Sequence, residues 1–254
     1  ITQYLVDEFL SDGSHDILVI SRTDREWIRN SGVSLHLLKD YTEDEILPVL
    51  DDAKATVLIS TLASNDFDLF TSMHNALLNA CRGSMTCKKL IPSGYLGNMR
   101  DLETLPRASY NARKLFRETL KNETDVQWTL PITWTAARDM AKAIVKLMAH
   151  EDWPQYVWVY GETGTWNEAV AKFEKFLGRT LEKTYRSKED IDSALQQTED
   201  KAKWYTATME EWSILGGSAL PMEEAIQQRE KYFQGVRFRD IEELLESSKS
   251  MQII

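Results

Sequence analysis

Tyr110 and Lys114 carry side chains that can transfer protons, and they stand four residues apart in a stretch with helical periodicity. This spacing places the phenol and the ammonium on one face of a helix. Ser93, whose hydroxyl can orient an oxygen atom of a bound molecule, follows the apolar run that ends at Pro92. These groups are candidates for acid–base chemistry. Because a Tyr-x-x-x-Lys spacing also arises by chance, their role depends on the elements that position them.

The segment 55–98 predicts a strand, a loop, a helix, a second strand and a second loop. A parallel unit of this kind places both loops at one edge of the sheet, where open α/β sheets bind ligands. Most residues of the first loop are small, and small residues permit close approach of a ligand to the backbone. The residues expected to contact a bound nucleotide-like molecule are Thr61, Leu62, Ala63, Ser64 and Pro92.

Arg22 follows directly after the apolar strand predicted at 16–21. In a doubly wound nucleotide fold, an acidic residue here binds the ribose hydroxyls of NAD, whereas an arginine suits the additional 2′-phosphate of NADP. The sequence therefore predicts NADP(H) as the cofactor. The alternative for Arg22 is an exposed arginine at a strand end. The alternative for Ser64 is a structural one, because Ser64 or Asn65 can cap the helix that begins near Asp66.

Composition and charge exclude several classes of protein. The chain has 254 residues, of which 28% are charged and 43% hydrophobic, as is typical of a globular protein. Its net charge of −10 argues against a nucleic-acid partner. No apolar run approaches the length needed to cross a bilayer, and the first ten positions lack the pattern of a secretion signal. We therefore expect a cytoplasmic protein that binds neither membranes nor nucleic acids.

Apolar periodicity predicts an α/β protein with alternating strands and helices. Strands are predicted at 16–21, 34–38, 55–60, 88–92, 126–130, 156–160 and 181–186, and helices at 1–10, 24–30, 42–50, 109–121, 134–150 and 166–177. Thr42 followed by Glu45 predicts a capping box. We expect a doubly wound parallel Rossmann-type sheet over 1–149, and a smaller, helix-rich substrate lobe over 150–254 with some exchange of chain between the two.

One strand that such a sheet requires is not found in this sequence. The chain opens on a helix, where a doubly wound nucleotide fold has a strand and a glycine-rich turn before its first helix. The strand would lie between those predicted at 16–21 and 55–60. Without it, their backbone groups would be buried without partners, at a cost of about 1–3 kcal/mol each. We therefore expect that the natural polypeptide begins with this strand and a Gly-x-Gly-x-x-Gly turn.

Several runs of the sequence resemble the NmrA-like and isoflavone-reductase-like branch of the short-chain dehydrogenase/reductase superfamily. The resemblance extends over nearly the whole chain, and the runs that carry it are DILVISR, VLISTLAS, NALLNAC, KKLIPSGYLGN, WTAARDMAKAIVKLM, TWNEAVAKFEKFLGRTLEKTYRS and REKYFQGVRFRDIEELL. The family usually has Pro-Ser-Glu-(Phe/Tyr)-Gly after its fifth strand. Here that motif departs from the family at Gly94, which stands where the glutamate is usual.

The resemblance implies an NADPH-dependent reductase of an aromatic or polyketide-like metabolite. In the superfamily, the lysine of a Tyr-x-x-x-Lys pair lowers the pKa of the phenol and holds the nicotinamide ribose, and the phenol protonates the reduced carbonyl. Tyr110, Lys114 and Ser93 are accordingly the candidate catalytic residues. In the isoflavone-reductase-like enzymes the lysine acts without a conserved tyrosine. The alignment leaves open whether Arg113 or Lys114 stands at the position of that lysine.

A second departure from the family lies after the strand predicted at 126–130. The family usually has a long loop here that covers the substrate, whereas only residues 131–133 precede the next helical run. We expect that the natural protein has a mobile segment at this point. The alternative is a pocket with a shortened roof.

The remaining reactive side chains have no pattern typical of a metal or hydrolase site. The histidines are scattered without metal-ligand spacing, and His74 is interpreted as a surface or hydrogen-bonded residue. Cys81 and Cys87 are interpreted as buried thiols rather than a redox couple. Aromatic residues are frequent between 128 and 166, and one or two of them near strand ends could line a pocket for a planar substrate.

Two classes of function remain open. The first is an enzyme, either an NADPH-dependent reductase or a redox-neutral isomerase on the same fold. The second is an NmrA-like regulator that senses a dinucleotide without turnover. Sensors of this family lack the catalytic pair, so Tyr110 and Lys114 favour the enzyme. We expect a small-molecule, aromatic substrate and a monomer or homodimer.

Overall fold

Strands and helices alternate along the chain. The computed structural model describes residues 1–64, 66–95, 97–105 and 107–250, and the side chains of residues 67, 107–113, 133, 134 and 250 lie outside that description. Within it, the strands are β1 (Leu18–Ser21), β2 (Ser34–Leu37), β3 (Val57–Ile59), β4 (Lys89–Ile91), β5 (Gln127–Trp128), β6 (Leu130–Trp134) and β7 (Tyr156–Tyr160). The helices are α1 (Thr2–Asp12), α2 (Glu26–Ser31), α3 (Glu43–Asp52), α4 (Phe67–Gly83), α5 (Arg107–Lys121), α6 (Ala137–Leu147), α7 (Trp166–Leu177), α8 (Lys188–Leu195), α9 (Lys201–Ile214), α10 (Met222–Tyr232) and α11 (Ile241–Ser250).

The strand pairings among the described residues are all parallel. β1 pairs with β2, β3 with β4, β4 with β5, and β6 with β7. Only Thr129 separates β5 from β6, so one nearly continuous extended segment pairs first with β4 and then with β7. A helix lies in each of the connections between paired strands, as parallel pairing requires.

Alternate residues of β3 face opposite sides of the sheet. Val57 and Ile59 pack in a core with α1 and α6, which includes the fully buried Ile144. Leu58 packs in a second core with α3, α4 and α5, which includes the fully buried Leu78. A parallel sheet covered by helices on both faces is doubly wound, so the predicted fold class is confirmed.

β1 and β3 have only one hydrogen-bonded edge each among the described residues. β1 is bonded to β2, and β3 is bonded to β4. Ile20 of β1 and Leu58 of β3 nevertheless pack against the same core. The strand that the sequence analysis expects between β1 and β3 stays a prediction.

β7 joins the C-terminal part of the chain to the sheet. All five residues of β7 pair with β6. The amide of Gln228 on α10 fixes β7 from the side, because it accepts a hydrogen bond from Trp158 N at 2.9 Å and donates one to Tyr156 O at 3.0 Å. The division predicted at 149/150, and the exchange of chain across it, stay predictions.

β6 differs from the sequence-based expectation of a loop at 131–133 and a helix from Trp134. In the structure β7 supplies a parallel partner for the whole segment, and Leu130 and Ile132 are buried by that pairing. α6 consequently begins only at Ala137.

The predicted capping box at Thr42 is wrong. The side chain of Thr42 makes no capping hydrogen bond, although Thr42 does stand at the N-cap of α3. The carboxylate of Glu45 instead accepts hydrogen bonds from Lys39 N at 2.8 Å and Asp40 N at 3.3 Å. Glu45 therefore orders the loop before α3 rather than the N-cap.

The predicted strand at 181–186 is wrong as well. These residues, all described, form an irregular segment. Glu174 of α7 holds the start of the segment, since its carboxylate accepts hydrogen bonds from Leu181 N at 2.9 Å and Lys183 Nζ at 3.0 Å. Local sequence does not suffice to form a strand where no neighbouring described strand pairs with it.

The helices in the described part of the chain have lengths ordinary for a globular protein. The longest of them, α4, has 17 residues. None of the described helices has the combination of length and apolar character that crossing a lipid bilayer requires.

Candidate functional site

The carboxyl ends of β3 and β4 lie side by side. Ser60, the first residue after β3, donates its backbone N–H to Ile91 O at 2.8 Å and so extends the ladder between the two strands by one bond. The loop that contains Thr61 and the loop that contains Ser93 therefore leave the sheet at neighbouring points. This arrangement is the one expected from the parallel unit at 55–98.

A buried histidine connects these two loops. His74 on α4 is fully buried. Its Nε2 lies 3.3 Å from Ser60 Oγ and accepts a hydrogen bond from Ser93 N at 3.4 Å, while its Nδ1 lies 2.9 Å from Phe70 O. Of the two readings left open for His74, the structure confirms the hydrogen-bonded one. Its contact with both loops was not foreseen.

Tyr95 provides a second connection between the loops. Its phenol donates a hydrogen bond to Ser60 O at 3.2 Å. Burial raises the pKa of the Tyr95 phenol well above its ordinary value, so the phenol keeps its proton and remains a donor. Tyr95 belongs to the motif that carries the family resemblance, and in this chain its hydroxyl serves to hold the loop after β4 against the loop after β3.

The loop after β3 presents small and polar groups next to the amino end of α1. Thr61 Oγ1 lies 2.7 Å from Thr2 Oγ1 on α1, and Leu62 N donates to Ser60 Oγ at 3.3 Å. Ala63 is exposed. The positive end of a helix dipole favours anions, so a phosphate could be held here by α1 and this loop together.

Asp66, and not Ser64, caps α4. The Asp66 carboxylate accepts a hydrogen bond from Leu69 N at 3.0 Å. Ser64 Oγ accepts one from Asp66 N at 3.0 Å and so supports the turn before the helix. The alternative that Ser64 caps the helix is therefore wrong, while Asn65 lies outside the described residues.

Arg22 lies directly after β1 with its side chain half exposed, at 48%. Its Nη1 is 3.4 Å from Asp40 Oδ1, and the guanidinium carbon is 5.1 Å from the centroid of the Tyr41 ring. Both contacts are of the weak, solvent-screened kind. An exposed guanidinium with five donors retains the capacity to bind an anion such as a 2′-phosphate.

A small cavity lies behind Ser93 and Gly94. Its volume is about 20 Å³, which is room for about one water molecule. Most of its wall is apolar or aromatic, and the lining includes Phe70, Phe116, Leu130, Ile132 and Tyr156. A substrate larger than water can enter only if these side chains move apart. Tyr156 is one of the aromatic residues from which the sequence analysis expected a pocket wall.

Gly94 is packed directly against Leu130. A Cβ added to Gly94 would lie 2.2 Å from Leu130 Cδ2, far inside van der Waals contact. Leu130 thus occupies the space into which a side chain at position 94 would project. This contact explains physically why this chain has no glutamate at the position where the resembled family usually has one.

Gly97 marks a close approach between the loop after β4 and the C-terminal lobe. A Cβ at position 97 would lie 2.5 Å from Gly217 O and 2.7 Å from the Trp212 ring. The next residue, Asn98, donates its N–H to Gly217 O at 2.7 Å. The segment around Trp212 and Gly217 therefore packs directly against the chain after β4.

α5 borders the cavity through Phe116 and Arg117. Arg117 is buried and donates hydrogen bonds to Met99 O and to Glu103 O, the latter at 3.0 Å. Arg117 was not among the residues predicted from the sequence. The only feature that pointed to Arg117 was its position, four residues after Arg113 on the helix proposed to carry the catalytic groups.

The candidate catalytic residues of α5 are only partly described. Lys114 Nζ lies 3.8 Å from Glu118 Oε1, and the Lys114 side chain is 44% exposed. The side chain of Tyr110 lies outside the described residues, as does that of Arg113. Pro92 is buried directly after β4, and Ser93 is half buried at the cavity. The assignment of Tyr110, Lys114 and Ser93 to catalysis stays a prediction.

The chain is similar in sequence to curated proteins and in fold to proteins of known structure. No family model matches the chain. A protein named oxidoreductase swnR from Arthroderma benhamiae is 26% identical over 287 residues, covering 96% of this chain and 92% of the relative. The NADPH complex of leucoanthocyanidin reductase from Vitis vinifera has a TM-score of 0.77 at 14% identity, covering 96% of this chain and 94% of its own. AtPrR2 with NADP+ and (+)pinoresinol has a TM-score of 0.71 at 15% identity, with 96% and 94% covered.

These similarities confirm the Rossmann-type fold class. They also confirm, at the level of the fold, the resemblance to the isoflavone-reductase-like branch, since benzylic ether reductases related to isoflavone reductases match with a TM-score of 0.68 over 96% of this chain. The name of the curated relative agrees with the prediction of an oxidoreductase.

Proposed function

We propose that this chain is an NADPH-dependent reductase of a small aromatic molecule. The observation that carries the proposal is the meeting of three features at one edge of a parallel sheet. The loops after β3 and β4 are tied together at Ser60, a cavity opens behind Ser93, and α5 borders that cavity. Fold neighbours that were solved with NADPH or NADP+ support the cofactor assignment.

Residues present in the chain fit one flank of an NADPH site. Arg22 offers an exposed guanidinium after β1 for the 2′-phosphate. Thr61, Leu62, Ala63 and Ser64 follow β3 next to the amino end of α1, where phosphate oxygens are stabilised. Pro92 begins the next loop and would contact the nicotinamide side. NADPH, when bound, supplies a hydride to an electrophilic carbon of the substrate.

The chain itself must then orient the substrate and provide a proton. Ser93 lies on the cavity wall, and its hydroxyl can hold the oxygen atom of a substrate carbonyl. α5 reaches the same cavity through Phe116 and Arg117. Tyr110 and Lys114 stand four residues apart on this helix, so the phenol or the ammonium is the proposed proton donor. Arg113 would not replace them as a donor, because a guanidinium stays protonated in proteins.

The cavity lining favours an aromatic substrate. Phe70, Phe116 and Tyr156 present rings to it, and planar molecules stack well on such rings. The solved neighbour AtPrR2 was studied with (+)pinoresinol, which supports a substrate of this kind. The present volume of about 20 Å³ requires that the wall opens when substrate binds.

A titration of the natural polypeptide with NADPH and NADH tests the first half of the proposal. We expect saturable quenching of tryptophan fluorescence with a preference for NADPH, followed by NADPH oxidation with members of a panel of aromatic ketones and enones. Absence of NADPH binding would contradict the proposal for both enzyme and sensor.

The second candidate is a dinucleotide sensor or a redox-neutral isomerase on the same fold. One observation favours it, since Lys114 Nζ lies 3.8 Å from the Glu118 carboxylate, which competes for the ammonium. Tight NADPH binding without oxidation of NADPH, unaltered by Lys114→Ala, would support this alternative. A loss of turnover in Lys114→Ala with binding retained would support the reductase.

A further inference from the structure

A fully buried imidazole sits at the junction of the two loops that the proposed function requires. His74 is contributed by α4, and neither loop contains it. We infer that His74 is a positioning residue, which sets the distance between the cofactor-binding loop after β3 and the substrate-orienting loop after β4. This inference rests on the proposed function for its kinetic consequence, but the structural tie can be tested without turnover.

The hydrogen bonds assign one protonation state to His74. Ser93 N can only donate, so Nε2, at 3.4 Å from it, must accept. Phe70 O can only accept, so Nδ1, at 2.9 Å from it, must carry the proton. The ring is therefore the neutral Nδ1–H tautomer. Its Nε2 lone pair faces both loops.

The same nitrogen also organises the loop after β3. Ser60 Oγ, at 3.3 Å from Nε2, donates its proton to the ring because Nε2 has none to give. The Ser60 oxygen in turn accepts from Leu62 N at 3.3 Å. One acceptor atom thus holds the first turn of both loops, through a hydroxyl on one side and a backbone N–H on the other.

Aromatic packing fixes the ring that carries this acceptor. His74 stacks on Phe70 with 4.1 Å between ring centroids and contacts Phe116 at 5.2 Å. Phe70 and Phe116 also line the cavity behind Ser93. The imidazole therefore lies between the edge of the sheet and the wall of the proposed substrate pocket.

Loss of the Nε2 acceptor should affect turnover more than cofactor affinity. The loops would remain attached to their strands, and Tyr95 would still connect them through Ser60 O. The alignment between the hydride donor and the substrate oxygen held by Ser93 would relax. A misplacement of about 1 Å can lower a rate by roughly 100-fold, whereas binding contacts spread over many atoms change little.

Three substitutions of His74 distinguish the role of the Nε2 acceptor from the role of the aromatic ring. His74→Gln extends an amide to the position of Nε2 and can still accept from Ser93 N. His74→Asn is shorter and reproduces only the donor at the position of Nδ1. His74→Phe retains an aromatic ring between Phe70 and Phe116 but offers no acceptor.

His150→Phe is the matched control. His150 also contacts an aromatic ring, that of Tyr232, at 5.0 Å between centroids. Its backbone carbonyl contacts the side chain of Lys89, the first residue of β4, so it lies at the opposite edge of the sheet from Ser93. The substitution is the same, but no loop of the candidate site is involved.

The readouts are kcat, the Kd for NADPH, and hydrogen–deuterium exchange of the backbone at 61–64 and 93–95. For His74→Phe and His74→Asn we expect faster exchange in both loops together, a fall in kcat of about tenfold or more, and a Kd within about threefold of wild type. We expect His74→Gln and His150→Phe to resemble the wild type.

Several outcomes would overturn the inference. One is a folded His74→Phe protein with wild-type exchange in both loops and wild-type kcat. Another is a folded His74→Gln protein with the same kcat and the same loop exchange as His74→Asn. This result would show that an acceptor at the position of Nε2 has no role. If His74→Phe does not fold, the comparison of Gln with Asn decides. If the wild type does not bind NADPH, the proposed function fails. The hydrogen–deuterium exchange of the two loops in the His74 variants still tests whether His74 connects them.

Discussion

Asp139 of α6 and Arg239 of the segment before α11 form a bidentate ion pair across 100 positions of the sequence. Arg239 donates from Nη2 at 2.9 Å, from Nε at 3.0 Å and from its backbone N at 2.9 Å. Asp139 is fully buried, while the Arg239 side chain is 24% exposed. The pair fastens the C-terminal end of the chain onto a helix that covers the sheet.

Removal of the buried carboxylate should destabilise the fold. We expect Asp139→Ala to lower the free energy of unfolding by about 3 kcal/mol, since it leaves the guanidinium and a backbone N–H without their acceptor. Urea denaturation followed by tryptophan fluorescence measures this loss. Lys142→Ala is the control, because Lys142 contacts the same carboxylate at 3.5 Å from a more exposed position. Its cost should be under about 1 kcal/mol, and equal costs for the two variants would contradict the prediction.

The same pair predicts an acid dependence of stability. Burial raises the pKa of Asp139, but the hydrogen bonds and charge of Arg239 lower it by more, so the folded pKa lies below its ordinary value. A group with a depressed folded pKa adds stability above its unfolded pKa of about 3.9 and loses it as the pH falls through the folded pKa. The difference in unfolding free energy between wild type and Asp139→Asn should therefore be constant from pH 7 to about 5 and shrink below pH about 4. A difference that stays constant down to pH 2 would rule this out.

Arg22 predicts the cofactor preference. Arg22→Ala removes the guanidinium proposed to bind the 2′-phosphate, so the affinity for NADPH should fall roughly tenfold or more while that for NADH is unchanged. Fluorescence titration with both cofactors measures the ratio. Arg29→Ala is the control. Arg29 is an exposed arginine on α2, and its Nε lies 3.3 Å from Asp24 Oδ1. An unchanged ratio in Arg22→Ala would remove Arg22 from the site.

Gly94 and Leu130 should be energetically coupled. A Cβ at position 94 would lie 2.2 Å from Leu130 Cδ2, so the buried side chain of Leu130 must shift to admit it. We expect Gly94→Ala to cost about 1–3 kcal/mol of unfolding free energy. In a Leu130→Ala background the same substitution should cost clearly less. A double-mutant cycle by urea denaturation measures the coupling. If the costs of Gly94→Ala and Leu130→Ala add, the contact with Leu130 does not destabilise the Gly94→Ala protein.

Cys81 and Cys87 should behave as protected thiols. Their Sγ atoms lie 3.7 Å apart, and both residues are fully buried. The hydrogen bond with Cys87 and burial raise the pKa of the Cys81 thiol, so Cys81 forms little of the reactive thiolate at neutral pH. A thiol reagent should label neither cysteine in the native protein and both in urea. Rapid labelling under native conditions would contradict this.

Local sequence patterns were enough to locate most elements of the sheet. The apolar run at 55–60 and the amphipathic pattern after it predicted β3 and α4, because helical and strand periodicities are properties of adjacent residues. The small residues from Thr61 to Ser64 identified the loop at the sheet edge. The structure confirms that this loop and the loop at Ser93 are neighbours.

Patterns failed where an element depends on a distant partner. Residues 131–133 were expected to link a strand to a helix that starts at Trp134, yet pairing with β7 makes them part of β6. The segment 181–186 was predicted as a strand, but no described strand pairs with it. Propensity is a weak prior, and tertiary pairing overrides it in both directions.

Short-range periodicity and residue size are enough to indicate the class of fold, the order of most of its elements and the two loops at the carboxyl ends of β3 and β4. Which buried polar groups meet depends on contacts between distant parts of the chain. His74 contacts Ser60 and Ser93, and Asp139 contacts Arg239, through bonds that span between 14 and 100 positions. Such contacts form because burial removes water from a polar group and obliges it to find a partner wherever the fold brings one.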